Sequence, residues 1–189
     1  MPLPKERIFT YADLLAWEGP ERCELIDGAP RMLASPSRVH QEVSGELFRQ
    51  IATHLRGKPC RVYAAPFDVR LFEEEGDTPE DIDTVVVPDI SVICDKSKLD
   101  DRGCRGAPDL VIEILSPSTQ RTDRLVKLNL YQKAGVREYW LADPSNRTIQ
   151  VCQLENGVYR VAQIYTETDR AEIQTLGGIS VDLSLVFNP

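Results

Sequence analysis

Thr84-Val85-Val86-Val87-Pro88-Asp89-Ile90-Ser91-Val92-Ile93-Cys94 is an almost wholly apolar run broken by one proline and one acid. A continuous run of this kind reads as a buried central strand rather than a half-solvated one. Alternation puts Asp89 on one face with Val87 and Ser91. Pro88 cannot donate to a ladder, so it marks an edge, a bulge or a strand break beside the acid. Asp109-Leu110-Val111-Ile112-Glu113-Ile114-Leu115 repeats the pattern, with Glu113 set mid-strand. A carboxylate in such a strand must be protonated, paired or metal-bound, because its lost solvation is otherwise uncompensated. Two of them on neighbouring strands, about 4.8 Å apart, can share one cation. The competing reading is an acid held by a core Arg or Lys, which shifts pKa values without catalysing anything.

Working outward, Val39, Val43, Leu47, Ile51 and Leu55 recur at helical spacing and predict an amphipathic helix over 39–55, preceded by Ser35-Pro36-Ser37. His40 falls inside its apolar arc while Glu42 and Glu46 point away; the imidazole reads as a core group or as one near a site. Strands are expected from Arg61 to Phe72, Thr84 to Cys94 and Asp109 to Leu115, with Glu73-Glu74-Glu75-Gly76-Asp77 as a solvated loop. A second helix, over 119–134, is capped by Ser118 or Thr119 and stopped by Gly135. Lys127 sits in the middle of its apolar arc, formed by Leu130, Tyr131 and Ala134, so it either snorkels or is aimed at an acidic site. The simplest arrangement points it across the sheet at Asp89 and Glu113. Glu138 to Ala142, a turn at Asp143-Pro144, and strands 148–154 and 158–165 about Asn156-Gly157 complete the C-terminal part. Before these, Thr10 caps a short helix, Tyr11 to Trp17, ended by Gly19-Pro20. A hairpin then turns at Asp27-Gly28, from Cys23-Glu24-Leu25-Ile26 to a return strand near Arg31 to Ala34. Helix, three strands, helix, strand, with extra strands at both ends, is an α+β plan on a mixed central sheet. No linker or repeat divides it, so residues 1–189 read as a single domain.

The chain has 189 residues, 22 basic and 30 acidic, a net charge of −8. That disfavours loose, charge-driven adhesion to nucleic acid or anionic membrane, but suits a site that gathers carboxylates around a cation. No apolar run approaches the roughly 20 residues needed to cross a bilayer. The opening MPLPKERIFTY lacks a signal peptide's apolar stretch, so a cytoplasmic protein without membrane contact is expected. Cys23, Cys60, Cys94, Cys104 and Cys152 are odd in number and widely spaced, without C-x-x-C. They read as small buried hydrophobes rather than as a disulfide framework or a zinc site.

Two carboxylates and a lysine on this core resemble the PD-(D/E)XK nuclease superfamily. The strings GAPDLVIEILSPST (106–119), KLNLY (127–131), GVREYW (135–140) and LADP (141–144), with the opening CELIDG (23–28), are similar to the bacterial Uma family of restriction-endonuclease-like proteins. The likeness runs from about Phe9 to the C-terminus and implies a restriction-endonuclease-like fold. It places Asp89 in the P-D motif and Glu113 at the acid of the (D/E)-X-K motif. Leu115 stands where that motif has its lysine, and Lys127 is the position matching the amine in the Uma-like branch. The superfamily's first-helix glutamate has no counterpart, and His40 takes the inward position. Glu24 reads as a hairpin-edge residue or a support for the site, Tyr131 as a packing residue or a holder of the lysine, and Asp109 as a turn residue.

The resemblance implies a Mg²⁺- or Mn²⁺-dependent endonuclease acting on nucleic acid, DNA first, and a homodimer by analogy. Asp89 and Glu113 would hold the metal, and Lys127 would orient the attacking water or stabilise the phosphate oxyanion. Two other readings remain open: a non-catalytic descendant that binds nucleic acid or protein, and a hydrolase of a smaller phosphodiester.

Overall fold

The computed structural model describes residues 7–19 and 22–188. In chain order the elements are α1 (Tyr11–Leu15), β1 (Cys23–Ile26), β2 (Ala29–Met32), α2 (Arg38–Leu55), β3 (Arg61–Ala64), β4 (Val69–Arg70), β5 (Val85–Val86) and β6 (Ile90–Ile93). They continue with β7 (Leu99–Asp100), β8 (Gly103–Arg105), β9 (Leu110–Ile114), a π-helical segment (Thr122–Lys127), α3 (Leu128–Ala134) and β10 (Glu138–Asp143). β11 (Thr148–Glu155), β12 (Val158–Thr166), β13 (Arg170–Ile173), β14 (Ile179–Asp182) and α4 (Leu183–Phe187) complete the chain.

The central sheet has the order β12-β11-β10-β9-β6-β3. β9 and β10 are parallel, joined by the crossover through α3, and the other pairs are antiparallel. This is the expected mixed α+β core. Alternation along β9 sends Leu110, Ile112 and Ile114 to one face, where they pack with Val43, Leu47 and Ile51 of α2. Val111 and Leu115 go to the other, with Leu130 and Tyr131 of α3. Each face is thus covered, which is why the central strands read as continuous apolar runs.

The structure corrects the sequence reading in several places. The strands expected over 61–72 and 84–94 are each divided: β3 and β6 lie in the central sheet, β4 and β5 in a second one of order β2-β1-β5-β4-β8-β7. The breaks fall near Pro66 and at Pro88, where a missing N–H ends the ladder. Cys60 and Cys94 form a disulfide, against the expectation of unpaired thiols. They come together because Arg61 and Ile93 are register partners, so the residues just outside that pair face each other. Cys23, Cys104 and Cys152 are free and buried, as expected. The expected second helix begins with the π-helical turn, and α1 stops at Leu15 rather than Trp17. Pro20, the expected stop, lies outside the described residues, as do residues 1–6 of the opening segment. Asp27-Gly28 and Asn156-Gly157 form the expected hairpin turns, with all four φ angles positive. Among the described residues no helix is long and apolar enough to cross a membrane.

Candidate active site

Ile90 of β6 pairs with Ile112 of β9, so Asp89, immediately before β6, falls opposite Glu113. Asp89 Oδ2 accepts a hydrogen bond from the backbone N–H of Ile114 at 2.7 Å, which ties the acid to the strand that carries Glu113. Its side chain remains 20% exposed. Glu113 is buried, and its Oε1 accepts from Lys127 Nζ at 2.9 Å and from the Tyr131 hydroxyl at 2.6 Å.

Lys127 is only 5% exposed, so it does not snorkel. Its ammonium also donates to Glu24 Oε1 at 2.8 Å and lies 4.0 Å from Asp123 Oδ1. Glu24 Oε1 in turn accepts from the backbone N–H of Val87, beside the Pro88 break. The lysine therefore links the central sheet, through Glu113, to β1 of the second sheet, through Glu24.

Of the residues singled out from sequence, Glu24, Glu113, Lys127 and Tyr131 form one hydrogen-bonded group. Tyr131 holds the glutamate rather than the lysine, and Glu24 is buried in an interior strand rather than at a hairpin edge. His40, in the first turn of α2, places Nε2 3.2 Å from Asp89 Oδ2. Leu115 is a buried core residue. Asp109 accepts from the backbone of Cys94 and pairs with Arg137, a structural role. Asp123 was missed. Its signal was the i, i+4 spacing to Lys127, which sets both side chains on one face of a helix.

Three carboxylates, Glu24, Glu113 and Asp123, thus surround one ammonium, with Asp89 opposite Glu113 on the neighbouring strand. Burial pushes the Glu113 carboxyl up, to about 8; Lys127 opposes the rise, while Asp89, Asp123 and Glu24 add to it. Burial also raises Asp123 above the usual carboxylate range. Burial would lower Lys127, but Glu113, Glu24 and Asp123 outweigh it and hold the ammonium charged well above its ordinary range. For His40, burial is likewise outweighed, by its bond to Asp89 and that carboxylate's charge, and its pKa rises.

The donor set fits a hard divalent cation. Among the described residues, Glu113 Oε2 and Asp89 Oδ1 accept no hydrogen bond, leaving one free oxygen on each acid. Among the described residues no three His, Cys, Asp or Glu side chains are arranged as a ready-made metal-ligand cluster, so an ion here would rest on these two acids and on waters. Two carboxylates with waters completing the shell suit Mg²⁺ or Mn²⁺.

Comparison with known proteins adds the following. Residues 11–184 match the Uma2 family, described as "Putative restriction endonuclease". An uncharacterized protein of Synechocystis is 26% identical over 179 residues, 93% of this chain and 88% of that one. The fold is similar to the crystal structure of a protein from Anabaena variabilis described as a putative nuclease belonging to DUF820. The TM-score is 0.72 at 22% identity, covering 95% of this chain and 97% of that one.

Proposed function

Since the chain belongs to the Uma2 family, with a restriction-endonuclease-like fold, we propose that it is a divalent-metal-dependent endonuclease that hydrolyses phosphodiester bonds in nucleic acid, DNA foremost. The observation that carries this reading is the buried Lys127 ammonium bonded to Glu113, with Asp89 opposite across the β6–β9 pair.

Asp89 and Glu113 would hold Mg²⁺ or Mn²⁺ through their free oxygens. When bound, the ion lowers the pKa of a coordinated water and neutralises charge on the scissile phosphate. Lys127 has three N–H donors, of which Glu24 and Glu113 take two. Among the described residues the third has no partner within hydrogen-bond distance, Asp123 Oδ1 lying 4.0 Å away, and it would serve the attacking water or the phosphate oxyanion. Held charged by its neighbours, the lysine acts electrostatically rather than as a general base. Tyr131 fixes the rotamer of Glu113, Glu24 fixes that of Lys127, and the Ile114 N–H and His40 fix Asp89.

A homodimer would present two such sites, one to each strand of a duplex. The net charge of −8 keeps hydrolysis of a smaller phosphodiester as a second reading. The test is cleavage of supercoiled, linear and single-stranded DNA, RNA and a chromogenic phosphodiester, with Mg²⁺, Mn²⁺ or EDTA. Metal-dependent cuts in DNA support the reading. Turnover of the small diester alone overturns it in favour of the second.

A further inference from the structure

Residues 54–61 hold Arg56, Lys58 and Arg61 with no acid, and residues 94–98 hold Lys96 and Lys98 with one acid, Asp95. The two segments meet in space: Arg61 of β3 pairs with Ile93 of β6, and the Cys60–Cys94 bond joins them just beyond that pair. Five cations and one acid make a local charge of +4, so the rest of the chain carries −12. Arg56, Lys58, Arg61 and Lys96 are exposed, while Lys98 is half-buried with its ammonium on the Ala107 carbonyl. Among the described residues none of the five lies in an ion pair, whereas Arg38, Arg49, Arg147, Arg160 and Arg170 elsewhere on the surface all do. The acids nearby are engaged. Asp95 accepts from the Ser97 N–H and hydroxyl, and Asp109 accepts from the Cys94 N–H and pairs with Arg137. Cations tied together by a cross-strand bond repel one another until an anion neutralises them.

The patch sits at one end of β3, the outer strand of the central sheet, and the candidate site lies at the other. Just past β3, Ala65 donates its N–H to the Asp89 carbonyl at 3.0 Å. Four residues of strand separate Arg61 from that bond, about 13 Å at roughly 3.3 Å each. Resting on the nuclease reading, we propose that this patch is a second contact for a nucleic-acid duplex, gripping backbone phosphates that flank the cleaved bond. A duplex laid along the β3 edge with that bond at Asp89 meets the patch about four nucleotides away, at about 3.4 Å of axis for each. Phosphate contacts of this kind fix position and orientation without reading sequence. The rest of the surface repels the same polyanion, so the patch also sets which edge the duplex follows. An acidic chain thereby holds an anionic substrate.

Arg56, Lys58 and Lys96 provide the test, since each is exposed. Arg61 is spared because its guanidinium bonds the Lys58 and Cys60 carbonyls and so shapes the turn. The triple variant Arg56→Gln, Lys58→Gln, Lys96→Gln is compared with wild type and with Arg31→Gln, Lys133→Gln, Arg160→Gln. The second triple changes the net charge equally at exposed positions outside the patch. Binding of a fluorescein-labelled DNA duplex is read by anisotropy across a KCl series at fixed Ca²⁺. Each phosphate contact contributes about 0.9 to the slope of log K against log salt, and about fivefold in affinity near 0.15 M. The patch variant should lose about 2–3 from the slope and about a hundredfold in affinity, and the control triple less than about threefold. Equal losses in the two triples, or no salt-dependent binding by wild type, would overturn the patch. Binding of polyglutamate as tight as that of the duplex would overturn it in favour of an acidic protein partner. Patch-dependent binding without cleavage in Mg²⁺ or Mn²⁺ would leave the contact standing and remove the nuclease reading.

Discussion

Lys127→Met should destabilise the protein strongly, and by an amount that depends on pH. The substitution keeps most of the stem's packing but removes the ammonium between Glu113 and Glu24. Breaking a buried ion pair typically costs about 3–5 kcal/mol, because the partner charge stays desolvated. Here one cation serves two buried carboxylates, so the upper end of that range is expected above pH 8, where Glu113 is ionised in wild type. Without the ammonium Glu113 escapes by keeping its proton to higher pH, which raises its folded-state pKa further above the unfolded one. Stability from such a group is fully present below the unfolded pKa and is lost as pH rises, by about 1.4 kcal/mol per pH unit for each proton. Below pH 8 both proteins hold that proton, so the gap between wild type and variant should narrow from pH 9.5 to pH 6.5. Urea denaturation at pH 6.5, 8 and 9.5, in EDTA, measures it directly. At a pH where the variant is folded, its cleavage rate should be down about 10²–10³, the scale for losing one preorganised donor. A loss of stability that is the same at every pH, or wild-type cleavage by the variant, would refute the role given to the ammonium.

Two further outcomes follow from the same group. Without metal, burial holds the Glu113 carboxyl up at about 8 in the fold, against the ordinary glutamate value of about 4.3 in the unfolded chain. Wild-type stability in EDTA should thus fall as pH rises between those values, and saturating Mg²⁺ should flatten the fall by displacing the proton; denaturation midpoints across pH, with and without the ion, check the sign. Tyr131→Phe removes one hydrogen bond to a charged or proton-sharing carboxyl and should cost about 1.5–3 kcal/mol with Mn²⁺ affinity kept within severalfold, read by urea melts and calorimetry.

Asp89, Glu113 and Lys127 were legible in the sequence because each interrupts an apolar pattern whose period was clear: two strands and one helical arc. His40 was visible for the same reason. Glu24 was ambiguous, because its place beside Lys127 depends on β1 pairing with β5 through Leu25 and Val85, a contact no local pattern encodes. The second sheet was hidden for a related cause. β4 and β5 are two residues each, too short for alternation to separate them from the strands they adjoin. Asp123 carried the i, i+4 spacing to Lys127, but an acid in the first turn of a helix reads by default as a solvated group favoured by the helix dipole. The Cys60–Cys94 bond joins residues 34 apart outside any spacing motif, and only the β3–β6 register reveals it.

The most direct measurement is nicking of supercoiled plasmid in Mg²⁺ or Mn²⁺ by wild type, Asp89→Asn and Glu113→Gln, with circular dichroism confirming that all three are folded. Both substitutions keep side-chain shape while removing the charge that would hold the ion. Cleavage by wild type that EDTA abolishes, together with loss of at least about 10²-fold in each variant, is the expected result. Wild-type rates in either folded variant, or cleavage indifferent to EDTA, would contradict a metal-dependent site at Asp89 and Glu113.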